Sequence, residues 1–596
     1  MSLDLTPEQK ATGKANFEQA AGDLARAGKM NTMAVGGEPT NDAKPDRRDV
    51  LKAGLAAGAV VPVSAAVYFG YSSWKGNKAV RMALIGCGDE GGVLIGDHNK
   101  EYNQFVAVCD IRPTNLDRIF EGEKAPSPRK GLNLLYGDAA KSIRRFTSVD
   151  ELLAAKGELN IEAVVVATPL HTHDGIVKKC MDAGLHVLCE KLMARTITKC
   201  KDMIRYAQDK GVLLGVGHQR HYSTLYAQAL EVLNTGLLGD IKHIRAQWPR
   251  NNSWPFSASP AAREKFATGN DINGQPFKEP ELRDGWCKPV PKEDAEPFLK
   301  EPQKLRDAGY ESVTELVRWR LYDKTGGGLM AELGSHQLDA SSIILGHVHP
   351  IAVSGIGGKF FYGPGKNDRE SDDGVFVTFE FPGRNYYKRD KDGHLVLEGG
   401  KPVKDPANAN DIVIVSYESF NTNSFEDYGE CVMGSRGTML LVKEADVYLF
   451  KEPEPGKGAG GRDTKVTVSG AGGGKPAMEA TSTWGGGGGA AISKAPGAAA
   501  WDSAVRGYRT EMEHFAYCLR EWQKRGGKVD YAKNDKGELV HKDIIPRCHG
   551  EVAMADAILA LTANMAMAKK ERIVFEDAWF DVTKDDVPET KHAKKA

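Results

Sequence analysis

The chain has 596 residues, with 79 Lys and Arg against 80 Asp and Glu and a formal net charge of −1. That balance gives no basis for expecting nucleic acid or an anionic surface as partner, and a hydrophobic share of 41% suits a globular protein with an ample core. Nine cysteines are scattered without a C-x-x-C pair, which argues against a disulfide framework and a zinc site.

Residues 1–46 are polar and small. Pro7 to Ala27 has the pattern of a short helix, and the whole stretch is expected to be a flexible N-terminal segment. Next comes Asp46-Arg47-Arg48-Asp49-Val50-Leu51-Lys52, then Ala53 to Trp74 without a charge. Paired arginines ahead of a mild Ala/Gly/Val run resemble a twin-arginine export signal, here residues 47–75. The run is about as long as the ~20 residues that span a bilayer. Its Ala, Gly and Pro62 make it a poor permanent anchor, and Val63-Ser64-Ala65 offers a cleavage site. The expectation is export to the periplasm through the twin-arginine translocation machinery, with tethering by residues 53–74 as the alternative.

The stretch Val80 to Gly91 organises the rest. An apolar run ends in Gly86-Cys87-Gly88-Asp89-Glu90-Gly91, and a helical stretch follows. In the strand, G-x-G-x-x-G, helix arrangement, Gly86 allows the tight turn and Gly88 the approach of a pyrophosphate. Gly91 allows close helix packing, and the helix N-terminus presents free N–H groups. A second apolar run, Phe105 to Cys109, ends in Asp110, where a ribose 2′-OH would be held. Asp110 favours NAD, whereas Arg112 would accommodate the 2′-phosphate of NADP. A Val-rich run, Ile161 to Ala167, reads as a strand buried on both faces and leads to Thr168-Pro169-Leu170-His171-Thr172-His173. A strand from His186 to Cys189 ends in Glu190-Lys191, and another runs from Val212 to Val216. Strands alternating with helices predict an α/β, doubly wound parallel sheet over residues 79–216.

These motifs, in order, are similar to the glucose–fructose oxidoreductase / inositol dehydrogenase / MocA-like family. The resemblance rests on Gly86-x-Gly88-x-x-Gly91, Ala167-Thr168-Pro169 with His171-x-His173, and Cys189-Glu190-Lys191. It continues through Gly217-His218-Gln219-Arg220 and Gly326 to Asp339, covering about residues 79–350, with a weaker return at Pro546 to Glu551. The family usually reads Glu-Lys-Pro, and Leu192 replaces the proline here. It usually has Asp four residues before its catalytic His, and Glu332 stands there.

The resemblance implies hydride transfer between a sugar-like carbinol and a nicotinamide. His336 is then the base, Lys191 polarises the oxygen, and Glu332, one helical turn before His336, orients its ring. Gly86, Cys87, Gly88, Asp89, Glu90, Gly91, Asp110, Arg112, Thr168, Pro169, His171, His173, Glu190, Lys191 and Gln219 are the cofactor candidates. Arg220, His221, Tyr222, Trp319, Arg320 and Asp339 are the substrate candidates, and Arg318 belongs to the same Arg-Trp-Arg clamp. The pairs His171-x-His173 and His218-x-x-His221 lack carboxylate or cysteine partners at ligand spacing, so no metal is expected.

From residue 217 to 583, runs at 241–248, 351–356, 374–381, 412–417, 437–442, 447–450 and 465–468 are separated by turns. They predict a mostly antiparallel α+β domain. The resemblance implies an open sheet whose free face joins subunits, as a dimer or tetramer. Residues 454–500 are dominated by Gly and Ala and are expected to be a flexible insertion. Arg509–Gln523 and Glu551–Met567 read as helices, and 584–596 as a charged tail. The reading is an exported NAD(P)-dependent oxidoreductase acting on a sugar, polyol or glycoside with a tightly held cofactor. Its rivals are an NAD-dependent glycoside hydrolase or lyase working through a transient ketone, and a non-catalytic nucleotide or carbohydrate sensor.

Overall fold

The computed structural model describes residues 5, 7–26, 65–74, 77–250, 253–363, 366–367, 369–399, 401–423, 425–451, 466–471, 475–480, 506–527 and 544–592. The Arg47-Arg48 motif, the apolar run through Ser64 and most of the Gly-rich tract lie outside them. Within that tract, Val466–Ala471 and Lys475–Ala480 pair as an antiparallel hairpin.

Helix α1 (Pro7–Arg26) is docked, contrary to the expected flexible segment. Phe17 is buried, and Asn16 Nδ2 donates to the Leu449 carbonyl at 2.9 Å. Residues 65–74, the end of the uncharged run, are also folded down. Phe69, Tyr71 and Trp74 are buried, Trp74 stacks on Tyr102 with centroids 4.3 Å apart, and the Tyr71 hydroxyl donates to Glu513 at 2.7 Å. These ten residues therefore pack with the core of the nucleotide domain.

Six parallel strands form the first sheet: β1 (Val80–Ile85), β2 (Asn103–Cys109), β3 (Arg144–Phe146), β4 (Ala163–Val166), β5 (His186–Glu190) and β6 (Leu214–Gly217), in the order β3-β2-β1-β4-β5-β6. All four residues of β4 are buried, as two-sided coverage of a Val run requires. Helices α2 (Asp89–Asp97), α3 (His173–Asp182) and α4 (Ile197–Lys210) connect them. Thr196 caps α4 by accepting from the Lys199 N–H, and Gly211 closes it in the left-handed conformation.

The second sheet contains β7 (Ile241–Gln247), β8 (Ala352–Gly358), β9 (Gly374–Pro382), β10 (Ile412–Phe420), β11 (Gly429–Gly434), β12 (Gly437–Val442), β13 (Asp446–Lys451) and β14 (Ile573–Val574). Their order is β13-β12-β11-β7-β10-β9-β8-β14, and only β7 with β10 is parallel. The inner face of β10, Val413, Val415 and Tyr417, alternates with less buried residues, the period of a one-sided sheet. Helix α5 (Ser335–Leu345) packs on that face. Helix α6 (Tyr508–Lys524) returns to cover the first sheet, and the apolar α7 (Gly550–Lys569) lies buried between α4, α5 and β8. One core cluster joins Val164 and Val187 of the first sheet to Val353 and Phe379 of the second. The carboxyl ends of β1, β4, β5 and β6 thus face the start of α5, and the site lies there.

Candidate active site

The glycine turn fits a dinucleotide. Gly86 has φ +98°, and a Cβ there would collide with the Ala167 carbonyl; a Cβ on Gly91 would collide with the Gly86 carbonyl. Gly88, with φ −72°, has nothing within 4 Å of its built Cβ, so the backbone is open on the ligand side. The N-terminus of α2 has no side-chain cap, which leaves N–H groups for a phosphate. Asp110 accepts from the Cys87 N–H at 2.7 Å, the Arg112 N–H at 2.8 Å and Asn115 Nδ2 at 3.0 Å. A carboxylate has about four lone-pair positions, so one remains for a ribose hydroxyl.

Two acidic residues in this turn call for explanation. Burial opposes ionisation of Asp89, but the charges of Arg320, Lys288, Arg118 and Arg129 outweigh it and hold the carboxyl far below its usual range. Arg118 lies 2.9 Å, Lys288 3.5 Å and Arg320 3.9 Å from its oxygens. Burial pushes the Glu90 carboxyl up, and burial with the Glu90 charge does the same to Glu190. The turn is therefore ringed by cations and does not repel an anion.

Lys191 follows β5, and its Nζ donates to the Glu332 backbone carbonyl at 2.8 Å. Met330–Gly334 forms a π-helical turn ahead of α5. This turn breaks the expected one-turn relation between Glu332 and His336. The Glu332 carboxylate accepts from Arg320 Nε at 2.7 Å instead of orienting His336. Burial opposes its charge, but Arg320 and Lys191 prevail and lower its pKa. His336 is 8% exposed, its ring centroid is 5.3 Å from that of Trp248, and no described residue hydrogen-bonds its ring. Burial, reinforced by Lys191 and Arg220, depresses its pKa well below 6.5, so the imidazole is neutral near pH 7. Lys191, Glu332, His336, Arg320 and Asp89 are thus brought to one cleft. Trp319 lies there too, under the Arg320 guanidinium at 4.2 Å.

Several sequence candidates have other work. The Arg112 guanidinium is bound to Asp294 at 2.8 Å and is not free for a 2′-phosphate. His173 joins the Leu192 carbonyl at 3.0 Å to the Thr168 carbonyl at 2.7 Å, fixing two strand-end loops. His171 packs edge-on to Tyr310, while Thr168 and Pro169 receive the Thr172 hydroxyl. The Cys87 thiol is buried toward the Cys109 carbonyl, and the Glu190 carboxyl receives the Lys191 N–H. Gln219 is buried against Glu444 at 3.3 Å. Arg220 is fully buried, 2.8 Å from Glu444 and 3.9 Å from Glu430, and cannot clamp a substrate. The buried Tyr222 hydroxyl accepts from the Cys548 N–H at 3.1 Å. His221 and Asp339 pair with each other at 2.6 Å below the cleft. Arg318 holds the Lys278 and Lys288 carbonyls. The motifs mark the right strand ends, but they do not fix the direction of each side chain.

Other residues escaped sequence reasoning. Trp248 and Arg250 follow β7, and Arg250 adds its charge to that of Arg320 near Glu332. Asp556 of α7 joins Asp339 and His218, so the carboxylates absent from local spacing arrive from distant helices. The aromatic-Pro-Arg after a strand, Trp248-Pro249-Arg250, was the available signal for the first two. Nothing in the sequence marked Asp556.

The model of the Gfo/Idh/MocA oxidoreductase NAD-binding Rossmann domain matches residues 80–218, and that of the family's C-terminal alpha/beta domain matches residues 304–394. An uncharacterized oxidoreductase of Schizosaccharomyces pombe is 31% identical over 143 residues, which are 23% of this chain and 38% of that protein. A glycosyl hydrolase family 109 protein of Stenotrophomonas maltophilia is 28% identical over 208 residues, 34% of this chain and 41% of that protein. The chain thus spans about two fifths of the length of these curated relatives. The crystal structure of an inositol dehydrogenase homolog from Azotobacter vinelandii complexed with NAD+ superimposes with a TM-score of 0.50 at 14% identity, covering 84% of this chain and 98% of that one, a likeness of fold. Both domain models match in order, so the chain is similar to the Gfo/Idh/MocA oxidoreductases over residues 80–218 and 304–394, and the first of these stretches is an NAD-binding Rossmann domain of that type.

Proposed function

We propose that the protein is an NAD-dependent oxidoreductase that removes a hydride from a hydroxyl-bearing carbon of a sugar, polyol or glycoside. The observation that carries this reading is His336: a neutral imidazole with no hydrogen-bond partner among the described residues, at a cleft that also holds Lys191 and the glycine turn. Gly86, Gly88, Gly91, the start of α2 and Asp110 would hold the nucleotide, and a bound nicotinamide supplies the hydride acceptor. His336 takes the hydroxyl proton. Lys191, fixed by the Glu332 carbonyl, stabilises the developing alkoxide. Arg320 is tied to Glu332 and stacked on Trp319, presenting planar donors and an aromatic wall to a polyhydroxy ligand.

The engagement of Arg112 by Asp294 supports NAD over NADP. Asp110→Ala should therefore weaken NAD more than NADP in calorimetry; the opposite order would return the preference to Arg112. Gly88→Val is the sharper test of the site. The built Cβ meets nothing, so the variant should fold as the wild type does, yet its side chain blocks the pyrophosphate approach. Unchanged NAD affinity in a folded Gly88→Val protein removes the nucleotide site from this turn.

A second reading, glycoside cleavage through a transient ketone, is favoured by the glycosyl hydrolase family 109 relative. We rank it second because the cleft groups described, Lys191, Glu332 and His336, include no further free acid and base for elimination. We further propose export by the twin-arginine route and subunit association through the second sheet. Exposed Ile356, Phe360 and Phe376 near one end of that sheet suit the latter. Arg47→Lys with Arg48→Lys should keep the protein in the cytoplasmic fraction of its host; periplasmic recovery of that variant disproves the route.

A further inference from the structure

We propose that His218, Asp339 and Asp556 form a buried site for one divalent transition-metal cation. The three residues come from separate elements: His218 follows β6, Asp339 lies on α5 and Asp556 on α7. One ligand atom from each lies within 4.8 Å of the others, and all three residues are buried. Both ring nitrogens of His218, whose side chain is 0% exposed, lack a hydrogen-bond partner, as does Asp556 Oδ1. His218 Nδ1 stands 3.9 Å from Asp339 Oδ2, too far for a hydrogen bond. Ligands held about 2.0–2.2 Å from a common ion lie roughly 3–4 Å apart, so this spacing suits a bridging cation.

The surroundings are built for ligation. Asp339 Oδ1 is held by His221 Nε2 at 2.6 Å, and His221 is stacked on His347 with centroids 5.6 Å apart. That outer pair leaves Oδ2 directed at His218, as second partners orient metal-binding carboxylates. Asp339 and Asp556 are in side-chain hydrogen-bond contact, which a cation would replace, and one imidazole nitrogen with two carboxylate oxygens suits Zn²⁺, Mn²⁺ or Fe²⁺. The site lies beneath the cleft, one turn of α5 beyond His336, and its existence does not depend on the hydride chemistry.

The test uses the full chain after dialysis against EDTA, then equilibrium dialysis with Zn²⁺ or Mn²⁺ and elemental analysis. The expected result is about one ion per chain for at least one metal, a raised thermal midpoint, and loss of both effects in Asp556→Asn and His218→Gln. Pulsed EPR of the Mn²⁺-loaded wild type should show coupling to a single imidazole nitrogen, a readout independent of how the variants fold. Less than about a tenth of an ion per chain for both metals, equal binding by the variants, or Mn²⁺ without nitrogen coupling overturns the proposal. In that case Asp339 and Asp556 share a proton instead.

Discussion

His336→Ala should lower kcat by ~10²–10⁴, the usual worth of a positioned acid–base group, with NAD affinity unchanged. The imidazole has no other task in the described structure: it accepts and donates no protein hydrogen bond, and Trp248 flanks it. Its truncation therefore removes a proton acceptor without breaking a network. The pH dependence has a definite sign. Burial and the charges of Lys191 and Arg220 favour the neutral ring, so its folded pKa lies below 6.5. Activity carried by the neutral base is then already present at pH 6.5 and falls only as pH drops through the depressed value. A kcat profile that switches on between pH 6 and 8 and loses that limb in His336→Ala would show a normal histidine and contradict the geometry. Lys191→Ala should lose kcat to a similar degree, because the Glu332 carbonyl fixes its Nζ at the cleft, where it would meet the developing alkoxide.

Arg220→Ala should cost about 3–5 kcal/mol of stability, the range for removing one partner of a buried ion pair. The guanidinium is 0% exposed and faces Glu444 at 2.8 Å and Glu430 at 3.9 Å, and Tyr226 donates to Glu430 at 2.7 Å. Among the described residues, Glu444 would then retain only Arg506 at 2.9 Å as an ion-pair partner, and Glu430 would lose its one cation. Burial already pushes the Glu430 carboxyl up to about 7, so it would take a proton in the variant. Urea unfolding reads the loss. A variant of unchanged stability with a raised KM would instead return Arg220 to the substrate.

Much of the frame was legible because it rests on local signals. The glycine turn needs φ > 0 at Gly86 and free space at Gly88, and only glycine meets both demands. The Val-rich runs give the parallel strands, and the strand ends locate Asp110 and Lys191. What was hidden depends on partners far along the chain. Arg220 follows a strand end as a substrate residue would, but Glu444, more than two hundred positions away, turns it inward. Glu332 seemed to share a face with His336, yet one π turn gave it to Arg320. The strand Gly429–Gly434 reads poorly as a strand, with glycine at both ends and a buried Glu430, and its pairing with β7 and β12 overrides that weakness. Helix α1 looked polar and loose because its partner, the edge strand β13, lies at the other end of the second domain.

One incubation separates hydride removal by a bound nicotinamide, with His336 and Lys191, from glycoside cleavage. The purified protein, loaded with NAD, is mixed with a panel of sugars, polyols and glycosides without any added acceptor. Bound nicotinamide is followed by its absorbance and products by chromatography. The expected result is one stoichiometric burst of NADH that then stalls, absent in His336→Ala. Continuous release of free sugar from a glycoside without net NADH would contradict it and establish cleavage as the activity.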